Sequence, residues 1–509
     1  MAKPQIPDLA QKYFQRRWWA LVVLSLALFM ASLDNTILNV ALPTLARELH
    51  ASTDQLQWTV DAYQVTFAGL LLVAGAFVDR WGRAKTFLSG TLIFGLFSLA
   101  AGLSPNTHIL IIFRLLMGVG AALLTPSTLA LVSAIFRDRK ERTVAFAIWS
   151  GANAAGGAAG PLLSGLLLEH FSWGSIFFVN VPVALVILIL GPMVLPFLTP
   201  SSSVKGLDIV GALISTSALA LVCWAVISAP GLGLVSLPII STFLAGIGLL
   251  LGFIFWEARF SAPILDLKLF SNRRFAVAVA VAGLVTAGGS AALFILTQYL
   301  QFNLGFNPLE AGLRILPVAV ALGLGAVSAP KLIEVLQLKI TVLVGLGFVA
   351  AGFIWLATAT IDTGYPYMLI GALAFGLGAG ILNPAATQAV MDALPAHSSG
   401  VGSATNSALM QVGSAIGVAL GGALLSARYR AVITSSEIFG QLGTWQSKVL
   451  ESYAGAVAAA ESLDDIGHKI VTTAKAGFVD GMSWALVCSA ILVMAAGLAV
   501  WLAYPKDRR

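Results

Sequence analysis

Residues 18–42 read Trp-Trp-Ala-Leu-Val-Val-Leu-Ser-Leu-Ala-Leu-Phe-Met-Ala-Ser-Leu-Asp-Asn-Thr-Ile-Leu-Asn-Val-Ala-Leu, with Asp34 as the only charged side chain. A helix that crosses a bilayer needs about 20 mostly apolar residues. This run is long enough to be one. It is too long for the apolar core of a cleaved leader, and Asp34, Asn39 and Pro43 stand where small residues would mark a cleavage site. A retained first span is expected.

The pattern recurs along the 509-residue chain. Fourteen apolar segments are legible, at roughly 18–42, 55–78, 85–103, 107–131, 143–168, 174–197, 207–228, 235–257, 275–300, 310–330, 339–360, 366–390, 400–427 and 479–503. Hydrophobic residues make up 58% of the chain and charged ones 10%. An ordinary soluble domain is about a quarter charged, so a soluble multidomain enzyme is excluded. Cys223 and Cys488 lie in apolar runs and build no disulfide framework. The net charge of +6 sits at segment ends rather than in a patch. That is a membrane pattern, with lipid and not nucleic acid as the partner.

Basic residues set the orientation. With the N-terminus inside, the inner segments hold clusters such as Lys12, Arg16 and Arg17, Arg80, Arg83 and Lys85, and Arg137, Arg139, Lys140 and Arg142. The short outer loops hold Arg47 and little else. Both termini are therefore expected in the cytoplasm, with an even number of spans. The polar break at 198–206 and the basic loop at 258–274 divide the chain. Residues 1–200 are expected to form one six-helix bundle and 261–509 a second. Residues 201–260 then form an inserted pair at the periphery. Two six-span halves around a midplane site are an arrangement of secondary transporters. The stretch 428–478 is expected to form short amphipathic helices or a hairpin on the outer face, as a cap or as a gate.

No Gly-Lys dipeptide occurs, so no Walker A phosphate loop is present. The five histidines and two cysteines show no zinc spacing. With no nucleophile–base motif either, an enzyme is a poor reading; no cofactor or metal is expected. Charges inside spans carry the information, because each costs at least about 2.5 kcal/mol to insert. There are three: Asp34, Asp61 and Arg114. At ~1.5 Å per residue all three fall ~9–12 Å below the outer surface, and one shared polar layer is expected. A carboxylate there can alternate between protonated and ionised as water access alternates, and when ionised it attracts a cation. An Asp–Arg pair that only locks helices is the alternative.

Further candidates follow from position. Gly75, Asp79, Arg80, Gly82 and Arg83 surround the inner turn after the second span and are read as a cytoplasmic gate, against simple positive-inside topology. Gly156, Gly160, Pro161 and Gly165 in the fifth span permit close packing and a bend. Trp58, Tyr63, Trp149, Phe294, Gln298, Asn406 and Gln411 are candidates to line a cavity, since aromatic faces attract organic cations. Glu310 and Arg314, four residues apart, read as a local ion pair.

These motifs together resemble one family over nearly the whole chain: the drug:proton antiporters of the major facilitator superfamily with fourteen spans, near the QacA and EmrB type. Leu33 through Pro43 is similar to its first-span motif, and Gly75 through Lys85 to its loop motif. Arg114, Gly118 and Gly120 resemble its fourth-span motif, whose arginine is implicated in proton coupling. Gly156 through Gly165 resembles the antiporter motif, with Ser164 replacing a glycine. Gly402 to Asn406 with Gln411 and Gly417 resembles its thirteenth-span signature. Trp58 to Tyr63 looks like the subgroup exporting quaternary ammonium compounds and dyes. The spans here numbered ten and thirteen lack the interior acids of some relatives, which points to monovalent lipophilic cations or neutral amphiphiles.

The resemblance implies an all-α membrane protein of the bacterial cytoplasmic membrane. Its activity would be proton-coupled multidrug efflux by alternating access. Asp34, Arg114 and Asp61 would carry coupling, and Asp61 also substrate charge. A monomer is expected, with a periplasmic adaptor as an EmrB-type candidate partner. Rival readings are a dedicated exporter of one metabolite, antibiotic or lipid, a channel, and a non-transporting sensor or scaffold.

Overall fold

The structure, a computed structural model, describes residues 16–136, 138–197, 208–233, 235–260, 265, 267–392, 399–463 and 466–503. Among them every regular element is helical. The first group comprises α1 (Arg17–Glu48), α2 (Thr53–Trp81), α3 (Arg83–Gly102), α4 (Thr107–Ile135), α5 (Arg139–His170) and α6 (Ser175–Val194). The inserted pair is α7 (Ile209–Leu232) and α8 (Leu237–Glu257). The last group comprises α9 (Arg273–Gln298), α10 (Pro308–Ala357), α11 (Tyr365–Asp392), α12 (Ser399–Ser435), α13 (Gln446–Glu451), α14 (Tyr453–Ser462) and α15 (Gly467–Ala503).

Eleven described helices are long and apolar enough to cross a membrane. One of these, α10, contains a break at Gln337, whose φ of 69° lies in the left-handed region. The helices α2 and α5 are 29 and 32 residues long but fall outside the eleven. Counting α10 twice and adding those two is what a total of fourteen requires.

Capping residues fix where the helices start. Ser52 and Gln55 form a capping box at α2, the Gln55 amide nitrogen donating to Ser52 Oγ at 3.3 Å. Asn307 and Glu310 do the same for α10, with Pro308 in its first turn. Such boxes satisfy otherwise orphaned backbone donors. Glu310 is thus a cap rather than the expected ion-pair partner: Arg314 turns to the Glu310 carbonyl at 3.2 Å and stacks 3.7 Å above the Phe306 ring.

Helix α1 packs on α5, while α2 and α3 both pack on α4. In the second half α9 packs on α12, α10 on α11, and α15 on both α10 and α12. The halves meet along two seams, α5 against α10 and α2 against α12. The inserted pair is not simply peripheral. Helix α7 packs on α2 and α12 at their seam, where Val65, Cys223, Ile227, Ala415 and Ala419 share a buried apolar cluster. Only α8 lies outside, against α7.

The glycines of α5 serve two interfaces. A Cβ on Gly156 would strike the Phe29 carbonyl, and one on Gly160 would strike Thr36, so both seat α5 on α1. Gly165 lies against Leu309, and the Pro161 carbonyl against Gly312, across the seam to α10. The segment 428–478 is partly a continuation of α12 and α15. Between them α13 and α14 form the short helices expected, and Tyr453, Ala456 and Ala459 of α14 are buried.

Among the described residues, hydrogen bonds join the halves at the end carrying the α1–α2 turn, here called outer. Gln301 Nε2 donates to the Val40 carbonyl at 2.8 Å, and Thr53 Oγ1 to the Glu451 carbonyl at 3.0 Å. Deeper in, Gly151 and Asn153 of α5 and Asn383 and Thr387 of α11 are exposed. The molecule is closed at its outer end.

Candidate functional site

Four elements around α1 converge on Asp34. The carboxylate is fully buried. Arg114 of α4 donates from Nη1 to Asp34 Oδ2 at 2.5 Å, and from Nε to the Thr59 carbonyl of α2 at 3.0 Å. The Arg114 guanidinium lies 4.5 Å from the Tyr63 ring centroid. On the other side, Asn180 of α6 donates to Asp34 Oδ1 at 3.2 Å and to Ser98 Oγ of α3 at 3.1 Å. Ser98 in turn donates to the Phe177 carbonyl at 2.8 Å.

Burying two charges costs several kcal/mol each, and a pair recovers this only with good geometry and further hydrogen bonds. Both conditions hold here. Protonating Asp34 would remove the attraction that binds α1 to α4. It would leave Arg114 held to α2 by the Thr59 carbonyl and the Tyr63 ring.

Asp61 does not join that cluster. Tyr63, two residues on, turns its ring to Arg114, and two residues along a helix turn the side chain by about 200°. Asp61 lies on the opposite face of α2, near Cys223 of α7. It is fully buried, and among the described residues neither carboxylate oxygen has a hydrogen-bond partner. The single polar layer expected from depth alone is therefore two sites on two faces of α2. A bare anion at Asp61 is costly, so the position suits a proton or a cationic partner.

The remaining candidates scatter. Trp58 packs on the apolar cluster at the α2–α7–α12 seam. Tyr63 is buried between the Phe67 and Phe94 rings. Trp149 ties α5 to α4 through a 3.1 Å bond from Nε1 to Thr128 Oγ1. Phe294 is a core residue. Gln298 lines a cavity of about 10 Å³ beneath Tyr429 and Tyr453, too small for a drug. Asn406 is buried beside Met410, and Gln411 is half-buried.

At the inner turn, Gly82 ends α2 and opens α3 with φ of 104°, a conformation that favours glycine. Arg83 Nη1 donates to the Ala130 carbonyl of α4 at 3.1 Å, and Arg80 is exposed. Gly75 and Asp79 belong to α2, but their surroundings lie outside what the structure describes. Sequence reasoning missed Asn180 and Ser98. Both are neutral residues in apolar runs, and a search for buried charges passes over them.

The model of the Major Facilitator Superfamily matches residues 24–418. The chain belongs to that superfamily. It is a multi-pass membrane transporter and not an enzyme. As a major facilitator it has relatives that match almost end to end. It is 34% identical over 495 residues to the multidrug efflux pump LfrA of Mycolicibacterium smegmatis, covering 96% of this chain and 97% of that one. It is 33% identical to the methyl viologen resistance protein SmvA of Salmonella typhimurium, covering 97% and 99%. It is 30% identical to the tetracenomycin C resistance and export protein of Streptomyces glaucescens, covering 97% and 93%. Among solved structures, a bacterial homologue of the human lysosomal transporter Spinster, inward-facing, superposes with a TM-score of 0.65 at 16% identity. The match covers 97% of this chain and 99% of that one. That likeness establishes the fold.

Proposed function

We infer that this major facilitator is a proton-coupled multidrug efflux antiporter with fourteen spans in the bacterial cytoplasmic membrane, both termini inside. Its cargo is lipophilic and cationic: quaternary ammonium compounds, dyes and antibiotics. The observation that carries the reading is the buried Asp34–Arg114 pair, held by four helices of a bundle that is closed at its outer end. The efflux and resistance relatives support the direction and the class of cargo.

In the mechanism, the Asp34–Arg114 pairing described above belongs to the state awaiting substrate from inside. Opening the outer seam admits water, and a proton from outside neutralises Asp34. That frees α1 from α4 as the drug leaves. The protonated carrier closes outside, reopens inside and releases the proton there. Asp61 supplies a second carboxylate, reached when α2 moves against α7 and α12, for a proton or for the positive charge of the cargo. The proton is the only coupling species required. The transporter works as a monomer, with an adaptor in the periplasm as the candidate partner and no nucleic acid.

The test is ethidium and tetraphenylphosphonium efflux from energised cells, with and without a protonophore. Wild type should give protonophore-sensitive efflux and Asp34→Asn none. Undiminished, protonophore-sensitive efflux in Asp34→Asn would overturn the assignment. A dedicated exporter of one compound is the second reading, favoured by the relative named for tetracenomycin C. Failure to move either cation while conferring resistance to a single antibiotic would establish it.

A further inference from the structure

Asn180 occupies an unusual position for a neutral residue. It is fully buried, and its amide nitrogen donates both to Asp34 Oδ1 at 3.2 Å and to Ser98 Oγ at 3.1 Å. Its own carbonyl oxygen, Oδ1, is buried and has no hydrogen-bond partner among the described residues. An orphaned buried acceptor costs about 1–3 kcal/mol. A side-chain amide has the same shape after a half-turn about its last bond, with donor and acceptor exchanged. The arrangement is therefore satisfied on one face only while Asp34 is ionised, and a second arrangement of equal volume exists.

We propose that Asn180 is a positioning residue that reads the protonation state of Asp34 by exchanging the two ends of its amide. While Asp34 is a carboxylate, the Asn180 NH2 donates to it, as in this structure. Once Asp34 carries a proton, its carboxyl O–H donates to Asn180 Oδ1 after the half-turn. The Ser98 hydroxyl then leaves the Phe177 carbonyl and donates to the same Oδ1, where it formerly accepted. No atom is transferred: two hydrogen bonds reverse direction, the Ser98–Phe177 bond is given up, and the amide NH2 takes the unpartnered place that Oδ1 holds here. Because the Phe177 carbonyl belongs to the turn that opens α6, the reversal passes the state of Asp34 to α3 and α6 as well as to Arg114.

The charged and titratable groups facing Asp34 are few. Arg114 of α4 pairs with it, and Tyr63 of α2 stands within electrostatic reach. The groups contributed by α3 and α6 are neutral, namely Ser98 and Asn180. This inference rests on the proton-coupled reading above, and its test needs no transported substrate. Purified full-length protein, labelled with asparagine carrying 13C in the side-chain carbonyl, is titrated with pH while infrared difference spectra are recorded. A carboxyl band that titrates in wild type and is lost in Asp34→Asn marks Asp34. The expected result is a labelled amide carbonyl band that shifts with the same midpoint, and that is lost in both Asp34→Asn and Asn180→Ala. If the Asp34 band titrates and no labelled carbonyl shifts with it, the inference fails alone. It fails too if the shift survives Asn180→Ala. If no Asp34 band titrates at all, the coupling reading fails and takes this one with it. Should Asn180→Ala not fold, Asn180→Ser, which keeps a small hydroxyl donor and acceptor, assigns the band instead.

Discussion

Thr53 and Glu451, 398 positions apart, are joined by a hydrogen bond of 3.0 Å from the threonine hydroxyl to the glutamate carbonyl. The bond links the first turn of α2 to the end of α13 and so ties the two halves together at the outer seal. Within the second half, Tyr429 braces the segment that carries Glu451 by donating to the Val449 carbonyl at 3.0 Å, and Tyr453 stacks on Phe302 at 4.8 Å. If the seal opens in every cycle, fixing it shut should arrest transport. In a variant lacking Cys223 and Cys488, Thr53→Cys with Ser452→Cys joined by a short bis-maleimide should lose ethidium efflux. The same double variant left unlinked should keep it. Undiminished efflux after complete cross-linking would mean that α13 and α14 travel with α2.

Removing either member of the buried pair should not be equivalent. Arg114→Ala leaves Asp34 as an unpaired buried charge and deletes the bond to Thr59, at a cost of about 3–5 kcal/mol. Asp34→Asn keeps volume and hydrogen bonding and should cost far less. Thermal unfolding in detergent should show a clearly lower midpoint for Arg114→Ala than for Asp34→Asn. Both should lose more than tenfold in protonophore-sensitive efflux. Equal midpoints would show that Arg114 is not repaying the burial of Asp34.

The outer seal should weaken in alkali. Burial pushes the Tyr453 phenol up from its usual 10 to about 12. A group raised in the folded state contributes stability that is intact below pH 10 and is lost as pH rises through about 12. Proteolysis of the segment 439–462 should therefore accelerate between those values in wild type. In Tyr453→Phe that acceleration should be absent or much smaller. Identical alkaline profiles would place the sensitivity elsewhere.

Gly312 faces the Pro161 carbonyl so closely that any side chain must push α10 from α5. Gly312→Val should cost roughly 1–3 kcal/mol by overpacking and bias the protein toward an open outer seam. A cysteine placed at Val40, buried here under Gln301, should then label faster with a membrane-impermeant maleimide than it does in the glycine background. Unchanged labelling would separate this contact from gating.

Much of this was legible in the residues themselves. The apolar runs mark the helices, and the three in-span charges mark Asp34 and Arg114 as partners. Depth along a helix follows from counting, and it set Asp61 level with that pair. Which face of α2 a side chain occupies depends on neighbours that counting does not reveal, and Asp61 proved to point toward α7. Asn180 escaped for a different reason: a neutral amide is cheap enough to bury that its presence in an apolar run carries little signal until its partners are known. The cavity-lining aromatics were chosen by type, and type does not distinguish a core ring such as Phe294 from a wall of the pathway.

The position of α7 makes the two seams unequal toward the lipid. A pair of matched halves would offer a hydrophobic molecule dissolved in the bilayer two sideways entrances. Here the one between α2 and α12 is covered by α7, while among the described residues neither α7 nor α8 packs comparably over the one between α5 and α10. A lipophilic photoreactive cation partitioned into the inner leaflet should mark α5 and α10 and spare α2; equal labelling of α2 would contradict this. The two extra helices would then restrict entry from the membrane to a single door, on the flank away from Asp61.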